Sequence, residues 1–184
     1  TGSIDLTGTK LPELPRFGMR MELHQPYENL TYYGRGPFEN YIDRYSGAFI
    51  GRYEDKVENQ FYWYIRPQET GNKTDVRWLT LLDSGGLGVK ITGLQPISFS
   101  ALHFSPEDLD PGLTRKLQHT IDIVPQKNIF LHVDLKQRGL GGDNSWGMYP
   151  HNEYRLLDKK YTYSYMIELV EKGSDKNDYL NSRK

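Results

Sequence analysis

The sequence contains no cysteine, and that absence excludes several classes of site. Without a thiol the chain has no disulfide framework, no metal site bound through thiolates and no cysteine nucleophile. The absence is equally compatible with a reducing cytoplasm and an oxidising periplasm, so it leaves the compartment open.

An excess of one charge is missing as well. The 184 residues carry 23 Lys+Arg and 24 Asp+Glu, which gives a formal net charge of -1. Because nucleic acids and anionic membranes bind through basic patches, we expect neither as a partner. No apolar run approaches the length that crosses a bilayer, and residues 1–15 lack the basic-then-apolar pattern of a signal peptide.

Histidine is scarce and scattered. The five residues lie without the close spacing that puts two metal ligands on one face, so we predict no metal site and no cofactor in this chain. The chain also has no Gly-x-Ser-x-Gly element, and its Gly-x-Gly-Pro stretch lacks the lysine and the following helix of a phosphate-binding loop. The histidines are His24, His103, His119, His132 and His151.

Aromatic residues, in contrast, make up 13% of the chain, and 14 of them are tyrosine. Tyrosine suits half-buried strand positions, and several segments alternate apolar and polar residues with the period of a strand. One short helix is indicated at residues 105–109, SPEDL, where a serine cap precedes proline and two acids. We predict strands over residues 16–25, 30–34, 58–66, 76–82, 87–92, 97–104, 117–124, 128–137 and 161–170.

This pattern indicates an all-β sandwich or barrel of antiparallel strands. The length fits a single domain. Residues 1–15 are rich in turn formers and contain two prolines, which predicts a linker or a cut end. We therefore expect the folded domain over residues 16–170 and a polar tail over residues 171–184.

The densest group of charged and polar residues lies within residues 32–44, YYGRGPFENYIDR, which we call the charged motif. Charges at this density must be paired or hydrated. A carboxylate beside an arginine could act as a general acid or base, but structural ion-pair networks collect the same residues, and we favour the second interpretation. The predicted structural or interface network comprises Arg35, Glu39, Asn40, Asp43 and Arg44.

The charged motif resembles the C-terminal domain of the large bacterial β-galactosidases of glycoside hydrolase family two. Three further stretches are similar to the same family, in the same order: LPRFGMRMEL, YIRPQETGNKTDVRWL and GLGGDNSW. The similarity covers roughly residues 14–170, and the chain is identified as a member of that family.

This resemblance implies a twisted antiparallel β supersandwich, similar to that of galactose mutarotases, attached behind a (β/α)₈ barrel. It implies an enzyme that hydrolyses terminal non-reducing β-D-galactosides with retention. The family's catalytic glutamates and its magnesium and sodium ligands belong to the barrel and earlier domains, so no catalytic residue is expected in this chain. The implied partners are the barrel and other domains of the same polypeptide and the galactoside, and a homo-oligomer is left open.

One position of the family's sugar site has a counterpart here. The tryptophan that ends the family's Gly-Gly-Asp-Asp-Ser-Trp loop stacks on sugar, and Trp146 matches it. Without the resemblance, a ring that plugs the end of the sandwich is the simpler expectation. Asn144 departs from the family's second aspartate. We therefore expect the four residues before Trp146 to support the loop rather than to bind ligand. These loop residues are Gly142, Asp143, Asn144 and Ser145.

A free-standing mutarotase-like aldose epimerase is one alternative. It would need a histidine and a glutamate that face one sugar site. The sequence offers His103 or His119 for the first role and Glu153 or Glu39 for the second, without a spacing that favours any pair.

A non-catalytic carbohydrate-binding module is the other alternative. It would use exposed aromatic rings as a stacking platform. The candidate rings are Trp63, Trp78 and Trp146, of which the first two lie in predicted strands, where a large ring is more often buried.

Overall fold

Strands form nearly all of the regular structure in the computed structural model, which describes residues 1–24, 26–110, 112, 118–144 and 146–171. The single α-helix among these residues, α1, is Pro106–Leu109, capped by the Ser105 side chain as its sequence predicts. Within the described residues no helix is long and apolar enough to cross a membrane. The strands are β1 (Gly2–Asp5), β2 (Arg16–Leu23), β3 (Asn29–Gly36), β4 (Phe49–Lys56), β5 (Lys73–Leu82), β6 (Gly88–Leu102), β7 (Ile129–Gln137), β8 (Lys160–Tyr163) and β9 (Tyr165–Val170).

All strand pairs are antiparallel, which confirms the all-β class. A seven-stranded sheet has the order β2-β7-β6-β5-β3-β4, with β9 also paired to β6, and β1 and β8 form a separate two-stranded sheet. The hairpin predicted at residues 83–86 joins β5 to β6, and the Asp83 amide donates to the Leu87 carbonyl.

The centre of the large sheet is β6, a strand of 15 residues. Its first part pairs with β9 and its last part with β7, while β5 runs along the opposite edge. The sequence predicts two separate strands here, at residues 87–92 and 97–104. The structure joins them into one strand that connects both halves of the sheet.

The main core lies on one face of this sheet. Alternate residues of four strands point into it, which is the consequence of the two-residue period of a strand. Burying each such side chain contributes about 1.5–3 kcal/mol. The fully buried members include Leu30, Tyr32, Leu79, Leu81, Ile91, Ile97, Phe99, Ile129, Leu131 and Val133.

A second, smaller cluster lies beside α1 and explains why residues 58–66 are not the strand that their composition predicts. Phe61 packs into this cluster against Phe104, with ring centroids 4.4 Å apart, whereas Tyr62 and Trp63 are exposed. A 3₁₀ turn at Val57–Asn59 starts the segment, and the rest is irregular. The burial of Phe61, and not pairing with a neighbouring strand, therefore holds this segment in place.

The strand predicted at residues 117–124 is also wrong over its described part. Residues Thr120–Asp122 form a 3₁₀ turn in which the Asp122 carboxylate accepts a hydrogen bond from the His119 amide. Ile121 is 88% exposed while Ile123 is buried, so the two do not share a buried face. The local side-chain cap competes with strand formation here.

The beginning of the chain differs from the expected linker. β1 pairs with β8 over four residues, Leu6 is buried, and the Leu6 amide donates to the Lys159 carbonyl. A strand of only four residues gives too short a pattern to be predicted from this turn-rich composition. At the other end, residues 172–184 of the predicted tail lie outside the described residues.

The last predicted strand is divided in two at Ser164. The side chain of Gln95 donates to the Ser164 carbonyl and accepts from the Ser164 amide, both at 3.1 Å. The Leu94 amide also donates to this carbonyl, at 3.0 Å. Tyr161 and Tyr163 are buried in β8, but Leu169 on β9 is 86% exposed. Tyr165 still packs against the main core, so the single face predicted for residues 161–169 ends after Tyr165.

Replacing Gln95 by leucine tests this arrangement. The change keeps the side-chain volume but leaves the Ser164 amide without its acceptor, while the Ser164 carbonyl still accepts from the Leu94 amide. It should lower the free energy of unfolding by about 1–3 kcal/mol. Urea unfolding measures the loss. The exposed Gln68 replaced by leucine is the control, and equal stability of the two variants would contradict the role of Gln95.

Candidate functional site

Trp146 lies on an irregular segment between β7 and a 3₁₀ turn at Asn152–Tyr154. We call residues 139–151 the tryptophan loop. The residue is 92% exposed, so its indole does not plug the end of the sandwich in this chain. An indole this exposed is available for contact with another molecule or domain.

The backbone of the loop is fixed at its start. The Gly139 amide donates to the Tyr154 carbonyl at 2.8 Å, and the Gly141 amide donates to Oδ2 of Asp43 at 2.7 Å. At Gly142 the loop crosses itself so closely that a Cβ would lie 2.2 Å from the Met148 carbonyl oxygen. Any side chain at this position would force the crossing apart.

Two side chains inside the loop stabilise its turn and its base. Oδ1 of Asn144 accepts from the Trp146 amide at 2.8 Å, which is the hydrogen bond of an Asx turn. Oδ1 of Asp143 lies 2.8 Å from Nε2 of His151, and this hydrogen bond raises the pKa of the histidine. Gly142, Asp143 and Asn144 thus make contacts suited to loop support, and Ser145 lies outside the described residues.

The far side of the loop rests on a buried glutamate. Tyr149 contacts the guanidinium groups of Arg138 and Arg155, whose Cζ atoms lie 5.5 and 4.8 Å from its ring centroid. Both arginines bond to Glu13, whose side chain is 5% exposed. Burial opposes the charge of this carboxylate, but the hydrogen bonds from Arg155 and Arg138 outweigh it and lower the pKa. Glu13 belongs to the segment that was expected to be a linker.

In the charged motif, the carboxylate of Glu39 has four donors. Its Oε1 accepts from Arg44 at 2.6 Å and from the Tyr64 hydroxyl, and its Oε2 accepts from the Thr70 hydroxyl at 3.0 Å and the Gly71 amide at 2.7 Å. A carboxylate with both oxygens occupied in this way holds a loop together and offers no free oxygen for proton transfer.

The remaining arginine and amide of the charged motif are also engaged. Nε of Arg35 donates to Asp75 at 2.5 Å, Nη1 donates to the Ala48 carbonyl at 2.9 Å, and the guanidinium covers the ring of Tyr45. Asn40 is fully buried and bonds to the backbone of Arg35 and Phe38. Both side chains are thus engaged within the protein.

Asp43 connects the charged motif to the tryptophan loop, although 98 residues separate it from Gly141. Its carboxylate carbon would lie 2.7 Å from a Cβ at Gly139, so the loop passes directly against it. Sequence reasoning placed the two segments in separate groups. Only the fold brings them together.

Lys73 at the start of β5 is buried, and sequence reasoning missed it. Its ammonium donates to Oε1 of Gln60 at 3.0 Å and to the Gly71 carbonyl at 3.3 Å. Burial lowers the pKa of this lysine to about 8, against the opposing influence of Glu39 and Asp55. No local pattern around residue 73 signals a buried ammonium group.

The comparison with known families shows which family the chain belongs to. The family described as "Beta galactosidase small chain" matches residues 1–167. The chain belongs to this family. The match includes the first fifteen residues, in agreement with their place in the structure.

Several β-galactosidases are similar to this chain. The β-galactosidase of Priestia megaterium is 38% identical over 159 residues, which cover 86% of this chain and 15% of that protein. The enzyme of Streptococcus thermophilus is 37% identical over 160 residues, with the same shares. "Beta-galactosidase BgaC" of Bifidobacterium adolescentis is 36% identical over 149 residues, 79% of this chain and 14% of that protein. The chain thus spans about 15% of the length of these relatives.

None of the histidine and glutamate pairs suggested for an epimerase forms a hydrogen bond or ion pair that the structure describes. Nε2 of His103 lies 3.1 Å from Oε2 of Glu28, a partner that the sequence did not suggest. Glu39 is held in the charged motif, and Glu153 lies in the 3₁₀ turn after the tryptophan loop. His119 begins the turn at Thr120–Asp122.

The three tryptophans lie on different elements. Trp78 is half-buried on β5, and Trp63 packs edge-to-face against Phe61 with ring centroids 4.8 Å apart. Trp146 is on the tryptophan loop.

A cavity of about 320 Å³ lies between the large sheet and α1 and includes none of the predicted site residues. Its polar wall contains Arg16, Glu69 and His132, and its apolar wall contains Leu102 and Phe104. Burial raises the pKa of Glu69 against the influence of Arg16, and burial lowers the pKa of His132 to about 4. The histidine is therefore uncharged at neutral pH.

The Asp143–His151 contact predicts a pH dependence. Because the folded pKa of His151 is raised above 6.5, the contact stabilises the loop fully below that pH and is lost as the pH rises through the folded pKa. Asp143→Asn should move the pKa of His151 back down. An NMR titration of the histidine ring measures it, and the same pKa in both proteins would contradict the contact.

Proposed function

We propose that this chain is the C-terminal, small-chain-like domain of a β-galactosidase that hydrolyses terminal non-reducing β-D-galactosides with retention. In this proposal the domain packs on a catalytic barrel, and Trp146 forms an aromatic wall of the sugar site. The similarity to several β-galactosidases supports the reaction. The 92% exposure of Trp146 on an anchored loop is the observation that carries its role.

An indole is suited to this role because the C–H faces of a pyranose are apolar while its edges carry hydroxyl groups. A flat ring covers such a face, and its N–H remains available at the edge. The tryptophan loop is held by backbone and side-chain hydrogen bonds, so little conformational entropy would be lost when sugar binds. Trp146 would contribute to substrate binding, and it would take no part in proton transfer.

The chemical step requires groups that we place elsewhere in the full-length protein. Retaining hydrolysis uses two carboxyl groups about 5–5.5 Å apart, one as nucleophile and one as acid and base. Glu39 has both oxygens occupied, so we assign it to the structural network. Among the described residues no group of three or more His, Asp or Glu side chains could hold a metal. We therefore assign the magnesium and sodium ligands to other domains as well.

Docking on the barrel gives a reason for the exposed apolar side chains. Large apolar residues in open positions are typical of surfaces that contact another domain. Three of them, Phe49, Ile65 and Leu169, are 74%, 83% and 86% exposed. A further copy of the enzyme could cover part of the same surface.

Replacing Trp146 by alanine in the full-length enzyme should raise KM for a galactoside by about tenfold, with a smaller effect on kcat. The reason is that the indole contacts substrate and transition state alike, and about 1.4 kcal/mol of lost binding corresponds to a factor of ten. Steady-state kinetics measure both constants.

Two further variants act as controls. Trp146→Phe keeps an aromatic face and should fall between wild type and alanine. Trp63→Ala removes another indole, 58% exposed but packed against Phe61, and should leave KM near the wild-type value. An unchanged KM in Trp146→Ala would refute the proposed wall.

The cavity beside α1 favours a second candidate function, which is sugar binding by this chain itself. Arg16 is held by Asp134 and Glu69, and the uncharged His132 lies on the same wall. Donors and acceptors on one side and Phe104 on the other match the two sides of a pyranose.

Calorimetric titration of the chain with methyl β-D-galactoside tests this second candidate. Saturable binding that is lost in Glu69→Leu and kept in Trp146→Ala would support the cavity. No saturable heat in the wild-type chain would exclude it and would leave the role of Trp146 unaffected.

A further inference from the structure

We infer that Asp43 is a positioning residue for sugar binding: its carboxylate sets the place of the tryptophan loop and thereby the place of the Trp146 ring. The inference rests on the proposed function of Trp146. It assigns to one aspartate of the charged motif a task that its neighbours Tyr41 and Arg44 make possible.

The carboxylate of Asp43 is itself held in a rigid turn. The Arg44 amide donates to the Tyr41 carbonyl at 2.8 Å, which closes the turn that contains Asp43. Tyr41 is buried, and the Arg44 guanidinium lies 4.8 Å from its ring centroid while it bonds to Glu39. Contacts that do not involve the loop therefore hold the turn that carries the Asp43 carboxylate.

The loop meets this acceptor at close range over three residues. The Gly141 amide donates to Oδ2 of Asp43 at 2.7 Å, a short hydrogen bond to a charged group, which is the stronger kind. The backbone at Gly139 passes so near that a Cβ there would lie 2.7–2.9 Å from three atoms of the Asp43 side chain. The aspartate thus contacts the loop at two positions, Gly139 and Gly141, just after the end of β7.

The second oxygen of Asp43 adds to the argument. Oδ1 is buried and has no hydrogen-bond partner in the structure. A buried carboxylate oxygen is costly to keep unpaired, so this position is poorly explained by stability alone. The contact that the other oxygen makes with the loop is the polar contact of this side chain that the structure describes.

Two side-chain contacts farther along the loop act within the loop itself. Asn144 bonds only two residues ahead, to Trp146, and Asp143 bonds to His151 within the loop. These bonds keep the internal shape of the loop, whereas Asp43 relates that shape to the sheet. Without it, we expect the loop to keep its turn but to shift as a unit.

The test uses the full-length enzyme with Asp43→Ala and Asp43→Asn. Alanine removes the acceptor and should raise KM by about three- to tenfold, close to the effect of Trp146→Ala, with kcat less affected. Asparagine keeps one acceptor oxygen for Gly141 and should restore most of the affinity. Asp75→Asn, which weakens the Arg35 ion pair in the same network without touching the loop, is the matched control and should leave KM unchanged.

A double variant, Asp43→Ala with Trp146→Ala, distinguishes positioning from a direct role. If Asp43 acts through the ring, the double variant has the KM of Trp146→Ala alone. If the two effects multiply, Asp43 acts in another way and the inference is wrong. If Trp146→Ala leaves KM unchanged, the proposed function fails, and the inference that Asp43 serves sugar binding fails with it.

A readout that is independent of catalysis completes the test. Amide hydrogen exchange of the peptide that contains Gly141, followed by mass spectrometry in the full-length enzyme, should be slow in the wild type and in Asp75→Asn and at least tenfold faster in Asp43→Ala. Unchanged protection in Asp43→Ala would overturn the inference even if KM rises.

Discussion

The arrangement of the site depends on the burial of Asn40. Its side chain donates to the carbonyls of Arg35 and Phe38 and accepts from the amide and hydroxyl of Thr74, while its backbone exchanges hydrogen bonds with Asn72. The segment after β3 is irregular, so no ladder satisfies its backbone groups. Each such group left unpaired inside the protein would cost about 1–3 kcal/mol. One amide side chain pairs two carbonyls of the charged motif and ties the motif to the start of β5.

A series of hydrogen bonds connects the buried side chain of Asn40 to the tryptophan loop at the surface. Glu39 gathers four donors and fixes the next residues of the motif, and the turn closed by Arg44 presents Asp43 to the tryptophan loop. The loop then carries an exposed ring on a backbone held at several points. This order explains why a network dense in charge lies beside a site that we propose for an uncharged sugar. The charges are engaged with one another, and the surface that remains for a ligand is aromatic.

The sequence predicted the class of fold because alternation is strong in β2, β5, β6 and β7. It failed where a few long-range contacts outweigh composition. Residues 58–66 have the residues of a strand, yet the burial of Phe61 in a separate cluster leaves their backbone irregular. β1 is too short to stand out from its turn-rich surroundings, and its partner lies at the opposite end of the chain.

In the candidate site, too, local sequence predicted some features, and long-range contacts determined the others. Residues of the charged motif and of the tryptophan loop stand out by their types, and the family resemblance singled out Trp146. The contact between Asp43 and Gly141 carries no local signal, because it exists only after the sheet has formed. The cavity walls at Glu69 and His132 come from a loop and a strand, and neither residue is remarkable in its own segment.

A crystal structure of the full-length enzyme with a bound galactoside tests the central claim most directly. The account predicts that the Trp146 ring lies flat against a sugar face, with ring and sugar carbons about 4 Å apart, and that Asp43 still accepts the Gly141 amide. A sugar bound without contact to Trp146, or an indole buried against the barrel away from the ligand, would contradict it.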